Sequence, residues 1–184
     1  MRKIILFLLV LPIVANAQKV STTQKESEKK TIKYEDFISK NGVVCTTYTY
    51  PIDDIELVWN TSTSTFKDKL SFHIEKMIVG NTSVSFLNIS HNKYDGASSV
   101  MIEETNVKDL CSALNKIKEI SKKQVPEGAR AEYTYLNNDG IYIYFSGDLW
   151  KIKLEKFDKD TIYASDIDPL INKLQEIMQK MASI

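Results

Sequence analysis

Residues 131–157, AEYTYLNNDGIYIYFSGDLWKIKLEKF, are the stretch from which the fold is best predicted. Apolar and polar residues alternate along it, which is the pattern of strands with one buried face. Two polar segments, Asn-Asn-Asp-Gly at 137–140 and Gly-Asp at 147–148, divide the stretch, and both contain residues that tight hairpin loops require. We therefore expect three consecutive antiparallel strands, followed by a helix.

Four tyrosines, Tyr133, Tyr135, Tyr142 and Tyr144, lie in this stretch at strand spacing. A two-residue loop at the first turn would pair Tyr135 with Tyr144, and a four-residue loop would pair it with Tyr142. Both loops contain an even number of residues, so in either case we expect all four tyrosines on one face of the sheet.

The second hairpin is expected to place Lys151 opposite Tyr144 and Lys153 opposite Tyr142, on the same face as the tyrosines. The other face is apolar and is the predicted core. Its residues are Leu136, Ile141, Ile143, Phe145, Trp150, Ile152 and Leu154.

The first residues of the chain predict export. Residues 1–17 combine two basic residues, an apolar run and Ala-Asn-Ala before the expected cleavage after Ala17, which is the pattern of a secretory signal peptide. Residues 18–31 contain one aliphatic side chain and predict a flexible tether. No later segment reaches membrane-spanning length. We expect a soluble periplasmic or extracellular protein.

The charge balance excludes the basic composition of a typical nucleic-acid-binding protein. The sequence has 24 basic and 24 acidic side chains, and loss of Arg2 and Lys3 with the signal peptide leaves a net charge of 22 − 24 = −2.

The remaining elements are predicted less sharply. Residues 43–50 predict a strand that ends at Pro51, and residues 53–69 are expected to be irregular, with at most one edge strand near Ile55 to Trp59. A hairpin is expected around Gly80-Asn81. The predicted strands beyond residue 69 and outside the opening stretch are 70–79, 82–90, 98–104 and 161–164.

Two segments have apolar residues at helical spacing. The first is expected to start at a cap formed by Thr105 or Asn106 and to end near Lys122, and the second runs from residue 165 or 166 to Met181. The predicted fold class is therefore α+β, with two tandem antiparallel β-meander-plus-helix units at 32–123 and 124–184 and with the helices packed on one face of the sheets. The pattern fits a tandem duplication and two unrelated units equally well.

The mature chain has two cysteines, Cys45 and Cys111. Export permits a disulfide between them, and two buried thiols are the alternative, because Cys111 lies on the apolar stripe of its helix. The two histidines do not predict a metal site. Pairing through the Gly80-Asn81 turn places His73 opposite Asn88 and His91 opposite Leu70, on opposite faces of the hairpin.

Several short segments together resemble a group of small secreted proteins from Bacteroidetes. They are the export signal, FISKNG at 37–42 followed by VVC at 43–45, the helix residues Asp109, Leu110 and Leu114, and WKIKLEK at 150–156. The resemblance implies an exported α+β protein and transfers no site residues to this chain. The plan of meander and helix also resembles that of tandem-repeat inhibitors of secreted enzymes.

The function expected from these patterns is that of a non-catalytic binding or interaction module, without metal or cofactor. Tyrosine and lysine side chains suit a protein or carbohydrate partner, but the tyrosines would also suit packing beneath the other half of the chain. The alternative functions are an inhibitor of a secreted enzyme and a hydrolase with a carboxylate pair. The expected contact surface consists of Tyr133, Tyr135, Tyr142, Tyr144, Lys151 and Lys153.

Overall fold

A computed structural model describes residues 44–93, 96–155 and 159–184. The predicted signal peptide at 1–17, the tether at 18–31 and the segment up to residue 43 lie outside these residues. Within the described ranges, neither helix combines the length and the apolarity that are needed to cross a bilayer.

The first half of the described chain forms a four-stranded antiparallel sheet. Its strands are β1 (Cys45–Asn60), β2 (Thr65–Val79), β3 (Thr82–Lys93) and β4 (Gly96–Glu103), paired in the order in which they occur. Gly80 opens the β2–β3 turn with φ of 59°, a left-handed conformation that glycine adopts without strain. The register confirms the predicted hairpin, since His73 pairs with Asn88 and His91 with Leu70.

Strand β1 corrects two predictions. It continues through Pro51, where a break was expected, and 65–69 is strand rather than irregular. The edge strand expected near Ile55 to Trp59 is confirmed as part of β1. Proline is tolerated because β1 is the first strand in the order of its sheet, so the missing N–H interrupts no ladder on its outer side. A bulge between Ile52 and Ile55 shifts the register by one residue, and this shift lets Ile52 and Leu57 both point into the core.

The first helix, α1 (Glu104–Ile120), begins directly after β4. The expected cap at Thr105 or Asn106 is wrong: the N-cap position is Glu103, and its side chain makes no capping hydrogen bond. The predicted apolar stripe is correct, since all its members are buried. They are Val107, Leu110, Cys111, Leu114 and Ile117.

The second sheet consists of β5 (Glu132–Leu136), β6 (Tyr142–Ser146), β7 (Leu149–Lys153) and β8 (Ile162–Ala164), again antiparallel and in chain order. Helix α2 (Asp168–Ser183) follows it. The described chain is therefore an α+β fold with two four-stranded antiparallel sheets and two helices, as the sequence predicts at this level.

One main hydrophobic core contains buried residues from both sheets and both helices. The helices contact each other, and α2 also contacts β1, where the Lys180 ammonium donates to the Pro51 carbonyl over 3.1 Å. Lys118 of α1 forms an ion pair with Asp168 at the start of α2. Because these contacts join elements that are far apart in sequence, the halves share a core.

The β5–β6 loop corrects the predicted register. Leu136 pairs with Tyr142, so the loop has five residues, 137–141. The Asn137 side chain accepts hydrogen bonds from the backbone N–H groups of Asp139 (3.1 Å) and Ile141 (2.8 Å) and thereby stabilises this odd-numbered loop. Because the loop has an odd number of residues instead of the expected even number, the side chains of β5 lie on the opposite faces from those predicted relative to β6.

Candidate binding surface

The reversed register divides the four tyrosines between the two faces of the second sheet. Tyr133 pairs with Phe145 and Tyr135 with Ile143, so both lie on the face that carries the core. The expectation that all four tyrosines share one face is therefore wrong. Leu136 was expected in the core but lies on the outer face and is 45% exposed.

Tyr133 and Tyr135 mainly contact other side chains and backbone of the protein. The Tyr133 hydroxyl donates to the Ile120 carbonyl at the end of α1 (3.3 Å), and its ring lies 6.3 Å from that of Phe145. Burial, followed by the negative charges of Asp109 and Asp139, raises the pKa of Tyr135. Both side chains pack against the core, so the alternative of structural packing applies to these two tyrosines.

On the outer face, strand pairing arranges six side chains in two rows. One row is Tyr144, Lys151 and Tyr163, which are directly paired across β6, β7 and β8. The second row starts with the Tyr142–Lys153 pair and continues in the same register towards Thr161. The predicted pairs Tyr144–Lys151 and Tyr142–Lys153 are confirmed. The sheet therefore collects three tyrosines, two lysines and a threonine on one surface.

These six side chains line one groove with a volume of about 320 Å³. We call it the tyrosine–lysine groove. Each row has a hydroxyl side chain on either side of a lysine, and neighbouring strands in a sheet are ~4.8 Å apart. The groove therefore offers alternating hydroxyl and ammonium groups across the sheet.

Two contacts orient Tyr144 in the first row. The Lys151 ammonium lies 5.4 Å from the centroid of the Tyr144 ring, within the range of a cation–π interaction. A hydrogen bond to Glu132 at the edge of the sheet raises the pKa of the Tyr144 phenol. These two contacts hold the Tyr144 side chain from two sides.

An aromatic stack borders the groove at Tyr163. The Tyr163 ring stacks on Trp59 of β1 with centroids 4.9 Å apart, and Trp59 stacks on Phe66 of β2, also at 4.9 Å. Phe66 ends the stack and is 49% exposed. Since Trp59 and Phe66 belong to the first sheet, the stack connects the two sheets beside the groove.

A polar cluster fixes the backbone at the same place. His91 is 1% exposed, with Nδ1 2.7 Å from Oδ2 of Asp160 and Nε2 3.2 Å from Oδ1 of Asp68. The other oxygen of Asp68 accepts the backbone N–H of Tyr163 (3.2 Å). The segment that carries Thr161 and Tyr163 is therefore attached to β2 and β3 through a buried imidazole.

This cluster explains why His91 is buried although it is polar. Each ring nitrogen lies within hydrogen-bond distance of a carboxylate oxygen, and these contacts compensate for the loss of water. Because the imidazole is closed to solvent, it is not placed to touch a substrate. In the part of the chain that the structure describes, no group of three or more His, Cys, Asp or Glu side chains is arranged to hold a metal ion.

The groove contains two residues that were not among the predicted site residues, Thr161 and Tyr163, and it is bordered by two others, Trp59 and Phe66. Tyr163 could have been found from the sequence. When β8 pairs with β7, the alternation of side chains along β8 places Tyr163 on the same face as Lys151. No comparable signal exists for Trp59, which reaches the groove only because the end of β1 contacts β8. The amide of Ser165 donates to the Val58 carbonyl at this junction (2.9 Å).

A second cavity, of about 440 Å³, lies near the segment between α1 and β5. Tyr133 and Phe145 contribute its aromatic surface, and Arg130 is its charged residue. Of the predicted contact residues, Tyr133 alone lines it among the described residues. The cavity therefore does not unite the predicted site residues as the tyrosine–lysine groove does.

The two cysteines are free in the structure. Cys45 is exposed at the start of β1, whereas Cys111 is buried in α1, and burial raises the pKa of the Cys111 thiol. The disulfide is thus not formed, and the alternative of two buried thiols holds for Cys111 alone.

Comparison of the chain with protein-family models and with curated proteins gives no match. The candidate function therefore rests on the groove itself.

Proposed function

We propose that this protein is an exported, non-catalytic binding module and that the tyrosine–lysine groove is its contact surface. The observation that carries the proposal is the convergence of Tyr142, Tyr144 and Tyr163 with Lys151 and Lys153 around one groove. Tyrosine provides apolar area with a polar end, and lysine provides a positive charge, so the groove favours an anionic ligand with some apolar surface.

The local charge contrasts with the charge of the whole chain. Basic and acidic side chains are equal in number, 24 of each, so the chain has no general attraction for polyanions. Two lysines on adjacent positions of one strand face make the groove a local positive site. Binding of an acidic ligand would therefore report this site rather than the overall charge.

The surroundings of the groove support binding because they hold it in shape before a ligand arrives. Asp68 fixes the backbone of Tyr163, and Trp59 stacks on its ring. A site that is ordered in advance loses less conformational entropy when it binds.

The test uses the full chain with both lysines replaced, Lys151→Glu and Lys153→Glu. Binding to immobilised polyglutamate and to polygalacturonate is measured by biolayer interferometry at low salt. The wild-type chain is expected to bind at least one of these two polyanions, and the charge reversal is expected to weaken binding by about tenfold or more, since contacts to charged groups contribute ~1.5–3 kcal/mol.

Lys122→Glu with Lys123→Glu is the matched control, because these exposed lysines lie in the segment after α1 and the change in net charge is the same. The control variant should bind like wild type. Equal loss of binding in the two double variants, or no binding of wild type to either polymer, would refute the proposal.

We propose in addition that the described chain derives from tandem units, each with its helix against its own sheet, and that it belongs with the small secreted proteins it resembles. The identical order of strands in the two sheets and the helix after each sheet support this origin. Corresponding stripes, Leu110 and Leu114 in α1 with Leu170 and Leu174 in α2, are all buried.

A further inference from the structure

The chemical class of the ligand follows from which groups the groove presents. We propose that the tyrosine–lysine groove binds a uronate-containing polysaccharide, in a stretch of about two or three sugar units. This inference rests on the proposed function and specifies its ligand.

The groove presents hydroxyl and ammonium groups together. Tyr142, Tyr144, Thr161 and Tyr163 contribute four hydroxyl groups, and the two lysines contribute ammonium groups. A hydroxyl both donates and accepts hydrogen bonds, and an ammonium only donates. Sugar hydroxyls have the same dual character, and a uronate adds one carboxylate per unit. The groove therefore matches a ligand that carries hydroxyls and carboxylates together.

The two lysines of the groove are spaced along one strand. Lys151 and Lys153 lie two residues apart on one face of β7, a separation of ~7 Å along the strand. Each has a hydroxyl side chain on either side, one from β6 and the other from Tyr163 of β8 or from Thr161 just before it. A chain of sugars that crosses β7 obliquely can place successive carboxylates near the two lysines while its ring hydroxyls meet the tyrosines.

The strand pairing beneath the groove favours a glycan over an acidic peptide. Peptides are commonly bound as an additional strand at a free sheet edge or by an anchor side chain in a pocket. Both β6 and β7 are already paired on each side, β6 with β5 and β7 and β7 with β6 and β8. Their backbones therefore offer no edge to a peptide, and recognition depends on the side chains of an open surface.

Two carboxylates near the groove do not oppose an anionic ligand directly. Glu132 accepts the hydrogen bond of Tyr144 at the edge of the sheet, and Asp160 is bound to His91 on the buried side. Both carboxylates are therefore engaged by groups of the protein, and Lys151 and Lys153 are the cationic side chains that line the groove.

The experiment compares three probes with the full chain by isothermal titration calorimetry: tetragalacturonate, neutral galactotetraose and hexaglutamate. Tetragalacturonate is expected to bind more tightly than hexaglutamate by about tenfold, and galactotetraose is expected to bind weakly. Replacing both lysines, Lys151→Gln with Lys153→Gln, should weaken tetragalacturonate binding by about tenfold, consistent with the loss of charge-assisted contacts.

Removal of tyrosine hydroxyl groups from the groove tests recognition of a glycan more specifically than removal of the lysine charges. Tyr142→Phe together with Tyr163→Phe is expected to weaken tetragalacturonate binding severalfold and to leave hexaglutamate binding nearly unchanged. Tyr48→Phe is the control, since Tyr48 is 51% exposed on β1 and does not line the groove. Circular dichroism of each variant shows whether the fold is retained.

The outcomes separate the two proposals. If hexaglutamate binds in a lysine-dependent manner and tetragalacturonate does not, the glycan inference is overturned and the binding module stands. If galactotetraose binds as well as tetragalacturonate, the charged class of ligand is wrong. If neither anionic probe binds to the wild-type chain, the groove is not a binding surface for anions and both proposals fail.

Discussion

At the scale of single residues, His91 connects three parts of the chain that are distant in sequence. It lies on β3, contacts Asp68 on β2, and contacts Asp160 ahead of β8. The Asp68 and Asp160 side chains are 17% and 21% exposed, and removal of the ring takes from both the partner that they share. Breaking such a buried pair costs more than the loss of an exposed one.

We predict that His91→Leu lowers the free energy of unfolding by about 2–4 kcal/mol, through the loss of both hydrogen bonds between the imidazole and the carboxylates. Urea unfolding monitored by circular dichroism measures the change. His73→Leu is the control, because His73 is only half-buried and has one contact, with Glu75 over 3.2 Å. Equal effects of the two substitutions would contradict the structural role assigned to His91.

Tyr135 gives a prediction about alkaline pH. Burial and the charges of Asp109 and Asp139 raise its pKa above the ordinary value of 10.0. The folded phenol therefore keeps its proton at a pH at which the unfolded phenol has lost it, so this group makes the unfolding free energy fall as pH rises above 10. An ultraviolet titration at 295 nm should show a late-titrating tyrosine that Tyr135→Phe removes. Asp109→Asn should shift it to lower pH; an unchanged titration in the Tyr135→Phe chain would contradict the assignment.

At the scale of elements, the β5–β6 loop determines which tyrosines reach the outer face. The strands themselves were predictable, because alternation from 131 to 157 is strong and the Gly147-Asp148 turn fixes the second hairpin. The length of the first loop was not predictable, since loops of two, four and five residues can all be built on the same Asn-Asn-Asp-Gly segment. What decides the length is the Asn137 side chain, which takes the place of a backbone acceptor for two N–H groups.

We predict that Asn137→Ala destabilises the protein by about 1–2 kcal/mol, because two backbone N–H groups lose their acceptor. Hydrogen exchange should accelerate at Asp139 and Ile141. Asn138→Ala is the matched control, since Asn138 is exposed in the same loop, and it should change stability by less than about 0.5 kcal/mol. Equal exchange rates in the two variants would show that the Asn137 side chain does not support the loop.

The other elements also divide into those that local sequence patterns predict and those that depend on contacts between distant residues. Helical spacing predicted both apolar stripes, and the Gly80-Asn81 turn predicted the β2–β3 register. The predicted strand end at Pro51 was wrong because a sequence does not show whether a strand lies at the edge of a sheet. The stack of Trp59 on Tyr163 depends on contact between β1 and β8, which are about a hundred residues apart, and local pattern contains no information about such a contact.

At the scale of the whole molecule, the common core predicts how the described part unfolds. Leu114 of α1 and Leu174 of α2 are both fully buried in the same cluster as residues from both sheets. Damage to one helix should therefore weaken the other half as well, because the halves do not have separate cores.

We predict that Leu114→Ala and Leu174→Ala each destabilise the protein by about 2–5 kcal/mol, through lost burial and the resulting cavity. In both variants the transitions followed by far-ultraviolet circular dichroism and by tryptophan fluorescence should coincide. Ala113→Gly is not a suitable control because it changes helix propensity. Lys116→Ala, on the exposed side of α1, is suitable and should have little effect. Two separated transitions would contradict a single cooperative core.

The stack beside the groove also gives the protein an optical reporter of its own. The sequence has two tryptophans: Trp150 is buried in the core, whereas Trp59 is held between Phe66 and Tyr163, one of the groove-lining residues. In a Trp150→Phe chain, the remaining emission would come from a single indole that touches the groove wall. Its wavelength and intensity would then register occupancy of the groove in solution, without a label or an immobilised surface.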